Sequence, residues 1–267
     1  MAPVQPERGK ASRTIKATGH IYFWQGGSLW IGKGHGLSQW HAHHAHQLAL
    51  SLDGTFRFRN DRGGAWTQFD AAFVPSRYPH EFALEGATVA HLFVEPESAD
   101  GRALSQRYGV LGISALPSPK ARESASMLLS ALQGQADAET MRAAGRQALA
   151  GLADISGESI ATKLVDPRVA RALEYIRLRV HAPVSLADAS AAATLSPSRF
   201  RHLFVEETGT SFRSYLLWLR INVAIDAAMA GATWTNAAHD AGFADSAHLS
   251  RTHKRMFGME PTAIRQP

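Results

Sequence analysis

Two regimes of hydrophobic patterning divide the chain. Between residues 21 and 95, short stretches rich in β-branched and aromatic residues (IYFWQGGSLWIGKG, HQLALSLDGTFRFRN, AWTQFDAAFVP and ATVAHLFVE) are broken by Gly-Gly, Asp-Gly and Pro. That pattern predicts strands gathered into a sandwich or small barrel. Asp53-Gly54, between LALSL and TFRFR, predicts a hairpin. Pro117 and Pro119 mark a change of texture. From Lys120 to about Asp154, ARESASMLLSALQG and AETMRAAGRQALAGL are two helical patterns separated near Gly134-Gln135-Ala136. After the link DISGES, the rest reads as helix. Asp166-Pro167 is a cap followed by a first-turn proline, and Val169, Leu173, Ile176 and Val180 form one stripe.

A unit then occurs twice. VSLADASAAATLSPSRFRHLFVEETG predicts a short helix, a tight break, and a second helix opened by Ser196-Pro197 and closed by Gly209. TWTNAAHDAGFADSAHLSRTHKRMFG repeats the layout, with a break at Gly242 and an end at Gly258. Ala189 and Ala238 are small enough for close helix crossing. Between the copies, SFRSYLLWLRINVAIDAAMAG predicts one helix with Phe212, Leu216, Leu219, Val223 and Ala227 on a stripe. From Phe212 to Ala230 it spans roughly 28 Å at 1.5 Å per residue. Successive major-groove faces of DNA lie about 34 Å apart, so such a rod can present two second helices to one side of a duplex.

LSPSRFRHLFVEETGTSFRSYL and AGFADSAHLSRTHKRMFGMEPTAIR resemble the paired helix-turn-helix module of AraC/XylS-type transcriptional regulators. The second copy matches at Gly242, Phe243, Ser246, Leu249, Arg251, Lys254, Phe257, Gly258, Pro261 and Arg265. The N-terminal part resembles that family's cupin-like sensor domains. The resemblance implies an α+β multidomain chain: a cupin-like β-barrel, helices, then an all-α domain with two helix-turn-helix units joined by a long helix. The expected division is a flexible tail over 1–20, an effector-sensing β domain over 21–119, a helical dimerisation or linker segment over 120–160, and a double helix-turn-helix DNA-binding domain over 161–267. Three positions depart from the family pattern. Thr194 replaces the glycine of the first turn, His253 replaces a core Phe, and Val205 stands where a basic phosphate contact is common.

Base-contacting side chains lie near the start of a recognition helix, away from its core face. Phe200, Leu203 and Phe204 mark the buried face of the first, leaving Ser198, Arg199, Arg201 and His202 outward. Leu249 and His253 mark the second, leaving Ser246, Ala247, His248, Ser250 and Arg251. Arg201 suits a guanine O6/N7 pair. Arg251 suits either a base contact or a buried or phosphate-bound role, and Lys254 and Arg255 suit phosphate.

Composition narrows the classes. The 267 residues are 45% hydrophobic and 19% charged, with a net charge of +5 and no cysteine. This is a globular composition without disulfides or thiolate metal sites. The first twenty residues lack the apolar core of a secretory leader, and no run is long enough to span a membrane, so a cytoplasmic protein without membrane association is expected. Residues 166–267 hold twelve Lys/Arg against nine Asp/Glu. Bulk charge is therefore thin for DNA binding, which must rest on local placement and on doubled contacts in a homodimer. The expected partners are double-stranded promoter DNA, RNA polymerase and an effector, with activation as one mode.

WHAHHAHQ, residues 40–47, concentrates four histidines. On a strand, His41, His43 and Gln47 share one face, while His44 and His46 face a packed helix or solvent. The first set resembles the cupin metal pattern of H-x-H followed by Glu. Here Gln47 holds the Glu place, and VPSRYPH supplies His80 for the second motif, with Arg77 in place of its usual Gly. Three readings stay open: a divalent metal on His41, His43 and His80; an organic effector contacting His41, His43, Gln47, His80, Trp40 and Tyr78; or a structural cluster. No cofactor is required. Trp24, Trp30, Phe56, Phe58 and Phe73 are further candidates for the lining. The rival from another class is a cupin metal-dependent enzyme, a dioxygenase or isomerase, with a helical C-terminal extension. No Gly-rich phosphate loop or G-x-S-x-G elbow supports a different catalytic class.

Overall fold

The computed structural model describes residues 14–153 and 164–267. Nine strands form one sheet: β1 (Lys16–Trp24), β2 (Gly27–Leu37), β3 (His46–Asp53), β4 (Phe56–Arg59), β5 (Thr67–Phe69), β6 (Ala71–Val74), β7 (Glu81–Val94), β8 (Ser114–Ala115) and β9 (Ile264–Arg265). The main hydrogen-bonded path runs β8-β6-β3-β7-β2-β1-β9, with β4 pairing β5 and β7. Every pairing is antiparallel except that of β1 with β9.

Two expectations are corrected here. Asp53-Gly54 does not make a hairpin, because β3 and β4 do not pair with each other. Both lie along β7, β3 against residues 88–94 and β4 against 81–84. β7 is long enough for both, and it slips register against β2 around Gly86, which has φ +78°. Asp-Gly supplies the positive φ at Gly54 that steps the chain from one partner segment to the next. The tail expected over 1–20 is also too long. Thr14 bridges Leu37 and β1 begins at Lys16, because its alternating residues pair across to β2 from Lys16–His35 onward. The rest of that tail lies outside the described residues.

Alternation divides the sheet's side chains between two cores. One face carries Leu29, Ile31, Leu48, Leu50, Phe73 and Leu92, covered by α1 (Ala99–Tyr108), α2 (Ser118–Gln133) and α3 (Ala138–Ala153). Helix α1 was not read from sequence; its ADGRALSQRY has few apolar residues, and it starts on a Ser98 cap. The break between α2 and α3 falls where expected, with Gln135 at φ +52°. The apolar stripes of these two helices, through Leu128, Met141, Leu149 and Leu152, are spent against this chain's own sheet. The other face holds Phe56, Phe58, Val74, Phe82, Leu84 and Val89.

The helical part comprises α4 (Pro167–Leu178), α5 (Leu186–Ala192), α6 (Pro197–Thr208), α7 (Phe212–Met229), α8 (Trp234–Asp240) and α9 (Ser246–Phe257). Asp166 caps α4 through Arg168 N–H, and the stripe Val169, Leu173, Ile176 and Val180 is buried. Ser185 and Asp188 close a capping box on α5, Ser196 caps α6, and Gly209 and Gly258 end α6 and α9 in left-handed geometry. Ala189 and Ala238 are fully buried at the crossings. The α7 rod has the expected extent but a different buried face. Tyr215, Trp218, Ile221, Ala224 and Ile225 are its most buried residues. The rod is enclosed by the α4–α6 core, the α8–α9 core and the sheet at once, so a single-stripe reading underestimates it.

The two halves are not separate bodies. Trp30, Phe93 and Ile21 of the sheet share one core with Trp218, Phe243 and Phe257 of the helices. The last residues return as β9 to the edge of β1. Arg177 of α4 reaches Glu95 at 2.6 Å, just past β7.

Candidate functional site

The second helices α6 and α9 each bury one face and expose the start of the other. On α6, Ser198, Arg199, Arg201 and His202 are all exposed, above buried Phe200 and Phe204. On α9, Ala247 and Arg251 are exposed while Ser246, His248 and Ser250 are partly so. His248 lies edge-on to Phe243 at 5.2 Å, which ties its ring to the turn. Lys254 is bound to Glu260 at 2.7 Å, so its charge is shared within the chain.

The three departures from the family pattern resolve individually. Thr194 takes φ +56°, where the matching turn of the second unit has Gly242 at +75°. The first turn therefore accepts a left-handed non-glycine residue and its strain. His253 is buried and gives Nδ1 to Met259 O at 2.8 Å, so the imidazole fills the expected Phe place without an unmet polar atom there. Burial pushes it down to about 4. Val205 is exposed on α6.

One side chain locks the two units together. Arg220, on α7, donates to Gly242 O at 2.9 Å and to Ala182 O at 3.2 Å. It joins the turn of the second unit to the end of α4 beside the first. Sequence reading missed it because it sits mid-helix with no local motif.

Both second helices end on the β part. Arg102 donates to the Glu207 carboxylate at 2.9 Å and to its carbonyl at 3.2 Å. Gln39 N–H donates to Gly258 O at 2.6 Å, and Phe257 packs on Trp30 at 4.8 Å. The C-terminal end of α6 is thus held by α1 and that of α9 by the sheet, while their N-terminal halves carry the exposed polar residues.

Against the end of α9 sits the histidine cluster. β3 begins only at His46; His41 instead pairs with His80 across an isolated bridge. One ring nitrogen from each of His41, His43 and His80 lies within 4.8 Å of the other two, all three being buried. Each Nδ1 meets a backbone carbonyl two residues away at 2.8 Å: Gln39 O, Ala45 O and Tyr78 O. Carbonyls only accept, so each Nδ1 carries the proton and each Nε2 carries a lone pair. Burial, with neighbouring imidazoles adding to it, pushes His41 down to about 3 and His80 well below its ordinary value. His43 Nε2 stands 3.0 Å from Gln47 Oε1, and Gln47 Nε2 stands 2.8 Å from His91 Nδ1. His91, half-buried and held down to about 3 chiefly by loss of solvation, was missed by sequence reading; its signal is the alternation of ATVAHLFVE.

A cavity of about 80 Å³ adjoins the cluster, lined by His41, Gln47, His91, Phe93, Phe257 and Met259 among others. Of the expected effector contacts, His41 and Gln47 line this cavity, whereas His43, His80, Trp40 and Tyr78 do not. The Trp40 ring lies under Arg62 at 5.5 Å, and the Tyr78 hydroxyl bonds Asn60 at 3.0 Å, so Tyr78 serves the cluster only through its carbonyl. Neither side chain lines the cavity, and of the other aromatics expected there Trp30 alone does. His44 bonds Glu97 at 3.0 Å and packs edge-on to Tyr215, while His46 bonds Ser105 of α1, so both meet helices.

Residues 189–267 match the family model described as a helix-turn-helix domain. The chain superposes on ToxT from Vibrio cholerae with a TM-score of 0.54 at 11% identity, covering 93% of this chain and 94% of that one. A ToxT structure bound to an unsaturated fatty acid gives 0.51 at 11% identity, covering 93% and 92%. A transcriptional regulator from Chromobacterium violaceum, described as containing an AraC-type DNA-binding domain, is 24% identical over 36% of this chain and 86% of its own, with a TM-score of 0.34. No curated protein matches the sequence. No helix among the described residues is long and apolar enough to cross a membrane.

Proposed function

For a chain that carries an AraC-type pair of helix-turn-helix units against a β sensor fold, we propose a sequence-specific regulator of transcription whose hold on promoter DNA depends on what occupies its barrel. One observation carries the reading. The cavity of about 80 Å³, which an occupant would have to widen, is walled on one side by the sheet and on the other by Phe257 and Met259, at the end of the second recognition helix. An occupant that alters this wall alters the support of α9, which makes the two binding events thermodynamically linked. The fatty acid found in ToxT supports an apolar effector for this fold; here Gln47 and His91 stand on the polar side of the cavity.

On DNA, Arg201 reads a base pair, Arg199, Ser198 and His202 border it, and Arg251 serves the second half-site with Ser246, His248 and Ser250. Lys254 contributes less than its sequence position implies, because Glu260 already neutralises it. A second copy and RNA polymerase complete the promoter complex. Since the α2 and α3 stripes are buried on their own sheet, a homodimer must use other surface. Such a protein works where the chromosome is, in the cytoplasm. Selecting genomic fragments with full-length protein tests the reading: a shared bipartite motif is expected, and recovery of random sequence rejects it. Within that motif, Arg201→Ala should cost about 1–3 kcal/mol and relax preference at one base pair. Uniform weakening on all sequences would reassign Arg201 to phosphate.

A further inference from the structure

We infer that His41, His43 and His80 form a binding site for a divalent transition-metal ion of the zinc type. The site belongs to the β part of the chain, so it stands whether or not the helix pairs read DNA. Three observations converge. The first is placement: one nitrogen from each ring lies within 4.8 Å of the others. A tetrahedral ion with bonds of about 2.0–2.1 Å holds its nitrogens about 3.3 Å apart, so modest ring movements close the set.

The second is orientation. All three rings give Nδ1–H to backbone carbonyls, which fixes the tautomer and turns the basic nitrogen away from them. Outer partners of this kind orient metal-bound histidines generally. A purely structural cluster has no reason to orient three rings alike.

The third is an unmet need. His80 Nε2 is fully buried and has no hydrogen-bond partner. His43 Nε2 and Gln47 Oε1 face each other as two lone-pair bearers at 3.0 Å. Turning the Gln47 amide relieves that second pair but does nothing for His80. A cation accepting lone pairs relieves both. Gln47 stands beside His43, so its oxygen is the nearest candidate for a further ligand.

The donor set also selects the ion. Three neutral nitrogens, with no carboxylate, suit Zn²⁺, Co²⁺, Ni²⁺ or Cu²⁺, whereas Mg²⁺ and Ca²⁺ require oxygen.

The test uses full-length protein without an affinity tag, stripped with a chelator and titrated with Co²⁺, whose visible absorption reports tetrahedral nitrogen coordination. One Co²⁺ per chain is expected, unaffected by millimolar Mg²⁺. His239→Gln, which alters an exposed histidine of α8, should bind as the parent does. His80→Gln should weaken binding at least tenfold while retaining the parent's circular dichroism. If that variant fails to fold, X-ray absorption on the zinc-loaded parent decides instead, with three imidazole nitrogens in the first shell expected. Failure of the folded parent to bind, fewer than three imidazoles, or unchanged affinity in folded His80→Gln overturns the site.

Discussion

Gly209 and Gly258 end α6 and α9 in the same backbone conformation, at φ +70° and +68°, but against different surroundings. Substituting alanine at each separates local strain from docking. At Gly209 the new methyl group would lie 3.1 Å from Arg77 Nη2, the far end of a flexible side chain that can move. The cost is that of a left-handed alanine, about 1–2 kcal/mol. At Gly258 the methyl group would overlap Gln39 O, which is backbone, and lie 2.7 Å from His41 Nδ1. Relief requires parting the end of α9 from the sheet. That breaks the Gln39–Gly258 hydrogen bond, about 1 kcal/mol, and partly exposes Phe257, about 2 kcal/mol for half its buried area. Gly258→Ala should therefore lose about 4–5 kcal/mol. Urea unfolding followed by circular dichroism measures both, and the shared core predicts a single transition. Gly258→Ala should also weaken effector control of DNA binding, while Gly209→Ala should preserve it. Equal losses of stability in the two variants would refute the claim that α9 is seated on the sheet.

Arg220→Gln should lower affinity for a two-half-site operator more than tenfold and leave affinity for an isolated half-site nearly unchanged, as fluorescence anisotropy can report. Loss of the charged hydrogen bonds to Gly242 O and Ala182 O frees the units to pivot, at a stability cost of about 2 kcal/mol. His253 is held down to about 4 by burial, against an ordinary value of 6.5. A base depressed in the folded state leaves the unfolded chain binding more protons between those values, so its contribution to stability falls as pH drops below 6.5. From pH 7 to pH 5 this amounts to about 2 kcal/mol at 1.36 kcal/mol per unit. His253→Phe should remove that part of the acid sensitivity, read as the difference between denaturation midpoints of parent and variant at the two pH values; parallel curves would contradict it.

Local chemistry was legible wherever a short stretch of chain decides the outcome. The caps at Asp166, Ser185 and Ser196, the left-handed glycines at 209 and 258, and the duplicated helix pairs depend on residues within a turn or two of each other. Exposed Arg199, Arg201 and Arg251 followed from the apolar residues beside them, because helix periodicity assigns opposite faces. The resemblance to the cupin metal pattern, rather than local spacing, named the three rings that the fold brings together.

What the sequence could not express was partnership between distant segments. Asp53-Gly54 is compatible with a hairpin or with a step along β7, and only the length and kink of β7 select the step. The stripes of α2 and α3 say that something must cover them, not that their own sheet does. His91, Phe257 and His41 meet at one cavity although more than two hundred residues separate the last two, and Arg220 gains its role from two carbonyls in other elements. Hydrophobic burial is non-directional and does not specify which apolar faces meet. That choice is made by the shape of the whole chain, and it alone places the buried histidines behind the end of α9.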